Sequence, residues 1–337
     1  MDAEVKAGSR EKFIEDIGKG GYPEDRCWIK VSENKDCALG YLAKKHEGQS
    51  QMNQSKFMKA VFKTVGLISA IAAREEITNK TLKVDLTSFL PYSERNNFPD
   101  YFEALKEFVK NPIETEFGSI NIEFINLVRR VEGQGIYHSL SPSEKNNKKV
   151  AIMMMGYRNV SLVIGERGTI QKGATTDLGM VKLANEIGES EGITNEGILT
   201  KFLVEAKTNE DRALSRLLAK ETGYKKAERK ERLKKKIAEL REDFASQLIT
   251  WMKDELDQDV DKIVLTGGSA MYFGKQIENQ IKKNFPWMEI GWNNGLDPEK
   301  DLGVIRNLGQ TDQYKRYIDV YGEYLYNQAV IAEKKNN

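Results

Sequence analysis

Residues 261–275 read DKIVLTGGSAMYFGK: a short apolar run, a double glycine, and then a stretch of helical composition. Ile263, Val264 and Leu265 have the length and β-branching of a buried strand. Gly267 and Gly268 let the backbone turn tightly and approach a ligand with no Cβ in the way, and the helix that follows aims free N–H groups at whatever sits there. An anion fits that geometry. A plain strand-to-helix turn in an α/β protein uses glycine in the same way, so the string by itself leaves both readings open.

Upstream, Val150 to Met155 is a continuous apolar run turned by Gly156, Tyr157, Arg158 and Asn159, and Val160 to Ile164 returns to a second turn at Gly165 to Gly168. This is the pattern of a meander. Thr175, Thr176 and Asp177 then offer side-chain caps to a helix reaching Ile187. Helices are expected over 196–207 and 210–220, and a long charged one over 225–256 keeps Leu233, Ile237, Leu240, Phe244, Leu248 and Trp251 at helical spacing. Its basic stretch, 225–236, has acidic residues interleaved and reads as a solvated helix face. The last helix, 314–332, presents Tyr317, Val320, Tyr324, Leu325 and Ala329 as its packing side.

The first part of the chain is richer in strands. Cys27–Val31 and Cys37–Leu42 flank a turn at 32–36, and a helix over 55–74 follows with one apolar face. Next come an alternating strand at 82–86, a short helix at 100–110, and a hairpin formed by 113–117 and 120–128 around Gly118 and Ser119. Ser141 to Lys149, polar and rich in lysine and asparagine, reads as a surface connection between two lobes.

Composition limits the function classes. A chain of 337 residues is long enough for two lobes. With 52 Lys plus Arg against 51 Asp plus Glu, no global attraction to nucleic acid exists, so a DNA contact would be local or made through an adaptor. Two cysteines, Cys27 and Cys37, and two histidines, His46 and His138, form neither a disulfide framework nor a metal cluster of recognisable spacing. No apolar run is long enough to span a membrane and no signal peptide opens the chain, so a cytoplasmic protein is expected.

Taken in order, five segments resemble the ParM-type bacterial actin-like proteins of plasmid partitioning. They are Ala38-Leu39-Gly40-Tyr41-Leu42-Ala43, Val131-Glu132-Gly133-Gln134-Gly135, Met155-Gly156-Tyr157-Arg158-Asn159, Thr175-Thr176-Asp177-Leu178-Gly179 and Leu265-Thr266-Gly267-Gly268-Ser269. The resemblance implies an α/β, actin-like ATPase fold: two ribonuclease-H-like lobes around a nucleotide cleft, with residues 1–140 as domain I, 141–300 as domain II, and 301–337 as C-terminal helices returning to domain I. It also implies that Gly267, Gly268 and Ser269 meet the nucleotide near its phosphates and sugar, with Thr266 and Met271 shaping the pocket. Gly156, Tyr157, Arg158 and Asn159 would form the second phosphate turn. Glu132 or Gln134 would orient the attacking water or hold the hydrated Mg²⁺, and the nucleotide would be ATP or GTP. Phosphoryl transfer asks for backbone donors, a metal and a placed water, which these residue types can supply.

The chain departs from the family's pattern in two places. Met1 falls where the family has already passed the opening strand hairpin that carries its first phosphate loop; translation starts upstream, or the first lobe lacks a strand and half of its phosphate grip. Asp16 to Gly21 imitates such a loop, but a loop after a short helix at 9–16 is the better reading. Met154 stands where most members have the aspartate that acts on the metal shell, and a thioether does not ligate hydrated Mg²⁺ strongly. The implied function is a self-assembling filament protein for plasmid or DNA segregation, switched by its nucleotide and joined to DNA only through an adaptor. The alternatives are a degenerate, non-hydrolysing nucleotide-binding or interaction protein, and a small-molecule kinase of the same superfamily.

Overall fold

The chain folds into two units in this computed structural model, each built from a sheet and helices. One unit is residues 1–89 with 94–129, and the other is residues 90–93 with 130–337. The structure describes residues 2–6, 22–46, 57–77, 81–193, 195–302 and 317–336.

In the first unit, strands β1 (Asp2–Lys6), β2 (Trp28–Ser32) and β3 (Lys35–Leu39) are followed by helices α1 (Gly40–Lys45) and α2 (Phe57–Arg74). After them come β4 (Thr81–Leu90), α3 (Phe98–Phe108), β5 (Ile113–Thr115) and β6 (Gly118–Val131), and the sheet order is β1-β3-β2-β5-β6-β4. Strand β1 has no counterpart in the sequence reading, because its residues lack an apolar run; it is a strand by virtue of pairing antiparallel to β3. It does not make a hairpin with β2, from which β3 separates it. The helix expected at 9–16 and the glycine loop at 16–21 lie outside the described residues.

Gly40 ends the second strand earlier than alternation suggests. Its φ of +61° leaves the extended region, and α1 begins there, so Tyr41, Leu42 and Ala43 are helical rather than part of a strand. Val61 and Val65 of α2 are buried as its period predicts, whereas Leu67 and Ile71 face solvent. Both cysteines are buried, and burial pushes the Cys27 thiol up to about 11, well away from thiolate reactivity.

The second unit continues with α4 (Gln134–Ser139), α5 (Pro142–Asn147), β7 (Val150–Met155), β8 (Val160–Glu166) and β9 (Thr169–Thr176). Helices α6 (Met180–Glu191), α7 (Glu196–Leu217) and α8 (Gly223–Glu255) precede β10 (Lys262–Thr266) and α9 (Ala270–Asn284). Strand β11 (Glu289–Trp292), α10 (Pro298–Leu302) and α11 (Ile318–Asn336) complete it. Its sheet runs β11-β10-β7-β8-β9, with β10 parallel to both β7 and β11 and with β7, β8 and β9 forming the expected antiparallel meander.

Alternation along β7 divides the core between the two faces. Ala151, Met153 and Met155 pack with α6, α7, α8 and α9, while Val150 and Ile152 pack with Ile136 and Tyr137 of α4 and Ile318 of α11.

Two readings of this unit are corrected. The polar stretch at 141–149 contains a helix, α5, whose start is a capping box: Ser141 accepts from the Glu144 N–H and the Glu144 carboxylate accepts from the Ser141 N–H. Lys262 bonds the Glu144 carboxylate at 2.6 Å and, with Ser141, holds it down at about 2. Thr175 and Thr176 are the end of β9 and cap nothing; Gly179 is the N-cap of α6. The two helices expected over 196–207 and 210–220 are both there within α7: Asn209 has a non-helical backbone, φ −152°, and its side chain accepts the Arg212 N–H as the cap of the second.

The packing side of α11 is also reversed. Tyr317, Val320, Tyr324 and Leu325 are exposed, and the buried face is Ile318, Asp319, Tyr321, Gly322 and Glu323. The reason is close backbone contact. A Cβ on Gly322 would sit 2.5 Å from the Gly135 carbonyl oxygen, so α4 and α11 touch glycine to glycine and the bulkier residues turn outward.

Candidate functional site

At the carboxyl ends of the parallel strands β7 and β10 the chain turns twice. Ligands in open α/β sheets bind outside such strand ends. The first turn, Gly156 to Asn159, closes on itself through the Gly156 N–H to the Asn159 carbonyl at 2.9 Å. It also caps α6: the Val181 N–H reaches the Tyr157 carbonyl at 2.8 Å and the Met180 N–H reaches that of Gly156 at 3.4 Å. A Cβ on Gly179 would collide with the backbone of Tyr157 and Arg158, which is why glycine stands there. The orphan donors of α6 are thus met by the turn itself, taking over the role expected of Thr175, Thr176 and Asp177.

The second turn follows Thr266. Gly267 is buried with φ +99°, and its Cβ would strike the carbonyl oxygen of Met155, so this residue packs against β7. Gly268 is exposed. Neither glycine spends its N–H on another described residue. Ser269 ties the two turns together, its N–H donating to the Met155 carbonyl at 3.1 Å and its hydroxyl donating to that of Gly156 at 2.9 Å. Thr266 and Ser269 are both buried, and the Met271 side chain lies outside the described residues.

Register sets what lies beside the turns. Met154 pairs with Ser161 on β8 and with Thr266 on β10, so the three share a sheet face. Ser161 donates to the Glu132 carboxylate at 2.9 Å, which brings the end of β6 to that same place, and the Glu132 N–H is held by the Leu90 carbonyl. Glu132 is 8% exposed. Gln134 folds back instead: its side-chain oxygen accepts the Val131 N–H at 3.1 Å. Of the residues expected at the site, Gly156 to Asn159, Thr266 to Ser269 and Glu132 are thus joined by direct bonds or strand pairing, and Gln134 serves as a local brace.

Two groups escape the sequence reading. Behind the second turn, Arg241 of α8 lies 4.2 Å from the ring centre of Tyr272; the Tyr272 hydroxyl and the Arg241 Nε are buried and have no hydrogen-bond partner among the described residues. Burial pushes the Tyr272 hydroxyl up to about 12 although the Arg241 charge opposes it. The other group is on α11. Asp319 accepts the Gly133 N–H at 2.8 Å and the Ile136 N–H at 3.1 Å, and Glu323 bonds Arg130 at 2.7 Å and His138 at 2.6 Å. Its sequence signal is a pair of acidic residues four apart, flanking Gly322 in the apolar and aromatic first half of the helix.

Burial pushes the Asp319 carboxyl up to about 7; the N–H bonds from Gly133 and Ile136 oppose the rise and the Glu132 charge adds to it. An acid raised in the fold binds its proton more tightly folded than unfolded. Its stabilising contribution is therefore full below the unfolded value near 3.8 and is lost as pH rises through about 7. The thermal midpoint is expected to fall between pH 6 and pH 8, and Asp319→Asn is expected to flatten that slope. Equal slopes for the two proteins would show that Asp319 does not titrate in this window.

No family model and no curated protein matches the sequence. Solved structures do. Over all of this chain and 91% of the other, it superposes on the actin-like protein Alp7A with a TM-score of 0.63 at 11% identity. ParM of Bacillus thuringiensis, solved with ATP, matches over 97% of this chain and 90% of its own, at TM-score 0.52 and 12% identity. A filament structure of AlfA from a B. subtilis plasmid matches over 89% of this chain and 82% of its own, at TM-score 0.50 and 16% identity. At such low identity the likeness resides in the fold: the chain has an actin-like α/β fold, the architecture seen in these bacterial proteins.

Proposed function

We propose that this chain binds a nucleoside triphosphate at the paired turns 156–159 and 266–269 and assembles with itself into filaments whose stability follows the state of that nucleotide, in the service of plasmid or DNA segregation. The observation that carries the reading is the exposed Gly268 at the end of β10, tied through Ser269 to the turn at the end of β7. Two backbone N–H groups without partners among the described residues, at a position without a side chain, are what a phosphate needs. Self-assembly is supported by the filament form of AlfA, and ATP by the ParM bound to it.

Glu132, bonded to Ser161 on the sheet face shared with Met154 and Thr266, would orient the water. Mg²⁺, which commonly keeps several waters and binds through one or two carboxylates and the phosphates, would rely here on the phosphates and on Glu132; it supplies neutralisation of phosphate charge. DNA would be joined through an adaptor, a reading supported by the pairing of four basic residues of α8 with acidic neighbours. Lys230 and Lys234 pair with Asp211, at 3.0 and 2.8 Å, and Arg229 and Arg232 pair with Glu191, at 2.6 and 3.1 Å.

A non-hydrolysing protein is the second reading, favoured by Met154 on the same sheet face as Ser161 and Thr266, where a thioether gives a metal shell nothing to bond. Light scattering with phosphate release, after adding Mg-ATP or Mg-GTP, separates the two. Scattering that rises and then decays with phosphate release supports the first reading. A lasting rise without release supports the second, and no nucleotide binding at all overturns both. Glu132→Gln keeps the bond from Ser161 and should lower phosphate release about 100-fold while leaving nucleotide affinity within a few-fold. Unchanged release would remove Glu132 from the water-orienting role.

A further inference from the structure

Helix α4 begins with a residue that has no side chain to cap it. Gly133, its N-cap, sits at φ +96°, and the cap comes from far along the chain: both oxygens of Asp319 are committed to α4, one to the N–H of Gly133 and one to that of Ile136. Asp319 is 3% exposed. One turn further along α11, Glu323 bonds Arg130 at the end of β6 and His138 on α4, so the two carboxylates hold the chain at 130, 133, 136 and 138. There is no slack between the helices, since the position of a Cβ on Gly135 is already taken by the Asp319 carbonyl oxygen. The segment held in this way carries Glu132 and Gln134.

We infer that Asp319 is a positioning residue for nucleotide hydrolysis: by capping α4 it fixes where Glu132 presents its carboxylate. The inference rests on the hydrolysing reading proposed above. A cap that served stability alone would act on the amount of folded protein. A cap that sets the place of a water-orienting carboxylate acts on turnover, where a displacement of 1 Å lowers the rate about 100-fold.

The test uses the full chain with Asp319→Asn, nearly isosteric, which keeps one acceptor oxygen and turns an N–H donor towards the second backbone N–H. We expect kcat for Mg-ATP to fall about 30-fold or more with KM within about threefold, and amide hydrogen exchange at Gly133 and Ile136 to speed up in the absence of nucleotide. Asp319→Ser, which keeps a single acceptor, serves as a companion should the Asn variant not fold. Folded variants with wild-type kcat overturn the inference. So does a loss of kcat that merely tracks the loss of folded protein, or a failure of both variants to fold, each of which assigns Asp319 to stability. A wild-type chain that binds but does not hydrolyse ATP or GTP overturns the hydrolysing reading and this inference together, and that failure is visible before any variant is made.

Discussion

Gly268→Asp is expected to abolish nucleotide binding and to leave the fold intact. Gly268 is exposed and is not among the positions of positive φ, so an aspartate there asks for no left-handed backbone. The objection comes from the ligand. A carboxylate about 4 Å from a phosphate, at an effective dielectric of about 20, costs about 4 kcal/mol, or about a 1,000-fold loss of affinity, before the blocked approach to the N–H groups is counted. Equilibrium binding of a fluorescent ATP or GTP analogue measures it, with circular dichroism and thermal melting as the control for folding. Affinity within a few-fold of wild type in the folded variant would take the phosphates away from this turn.

The second large effect is on stability. Gly135→Ala should lower the unfolding free energy of the second unit by about 3 kcal/mol, at the upper end of what overpacking usually costs. An alanine ordinarily gains up to about 1 kcal/mol over glycine inside a helix, so the sign of the result is decided by packing. The added methyl would overlap the Asp319 carbonyl oxygen and come within 2.9 Å of the Glu323 nitrogen, and both are backbone atoms of α11 that cannot rotate away. Gly322→Ala meets the same contact from the other side, 2.5 Å from the Gly135 oxygen. Urea titration followed by tryptophan fluorescence reports it. A midpoint equal to or above wild type would mean that α4 and α11 have room between them.

Much of the fold was legible because the second unit follows its local pattern closely. The apolar runs at 150–155 and 263–265 are strands, the meander is a meander, and α8 buries Leu233, Ile237, Leu240, Phe244 and Leu248 as their 3.6 spacing marked them, with Trp251 half-buried. Reading failed where a distant partner decided the outcome. Strand β1 exists through pairing to β3 and has no apolar signature of its own. The buried side of α11 is acidic, because it caps and pairs with α4, and the apolar rule pointed to the opposite face. Thr175 and Thr176 look like caps, yet carbonyls of the 156–159 turn do that work.

Sequence alone determined the two glycine turns, the strands they terminate and the order of segments from which an actin-like architecture could be expected, since each depends on residues adjacent in the chain. Only the tertiary structure decided that the two turns are bonded to each other, that Glu132 joins them through Ser161, and that Asp319 holds the segment bearing Glu132. Those links connect residues 29 to 186 positions apart. A hydrogen bond between such positions leaves no periodic trace in composition, because its geometry is set by the packing of whole strands and helices.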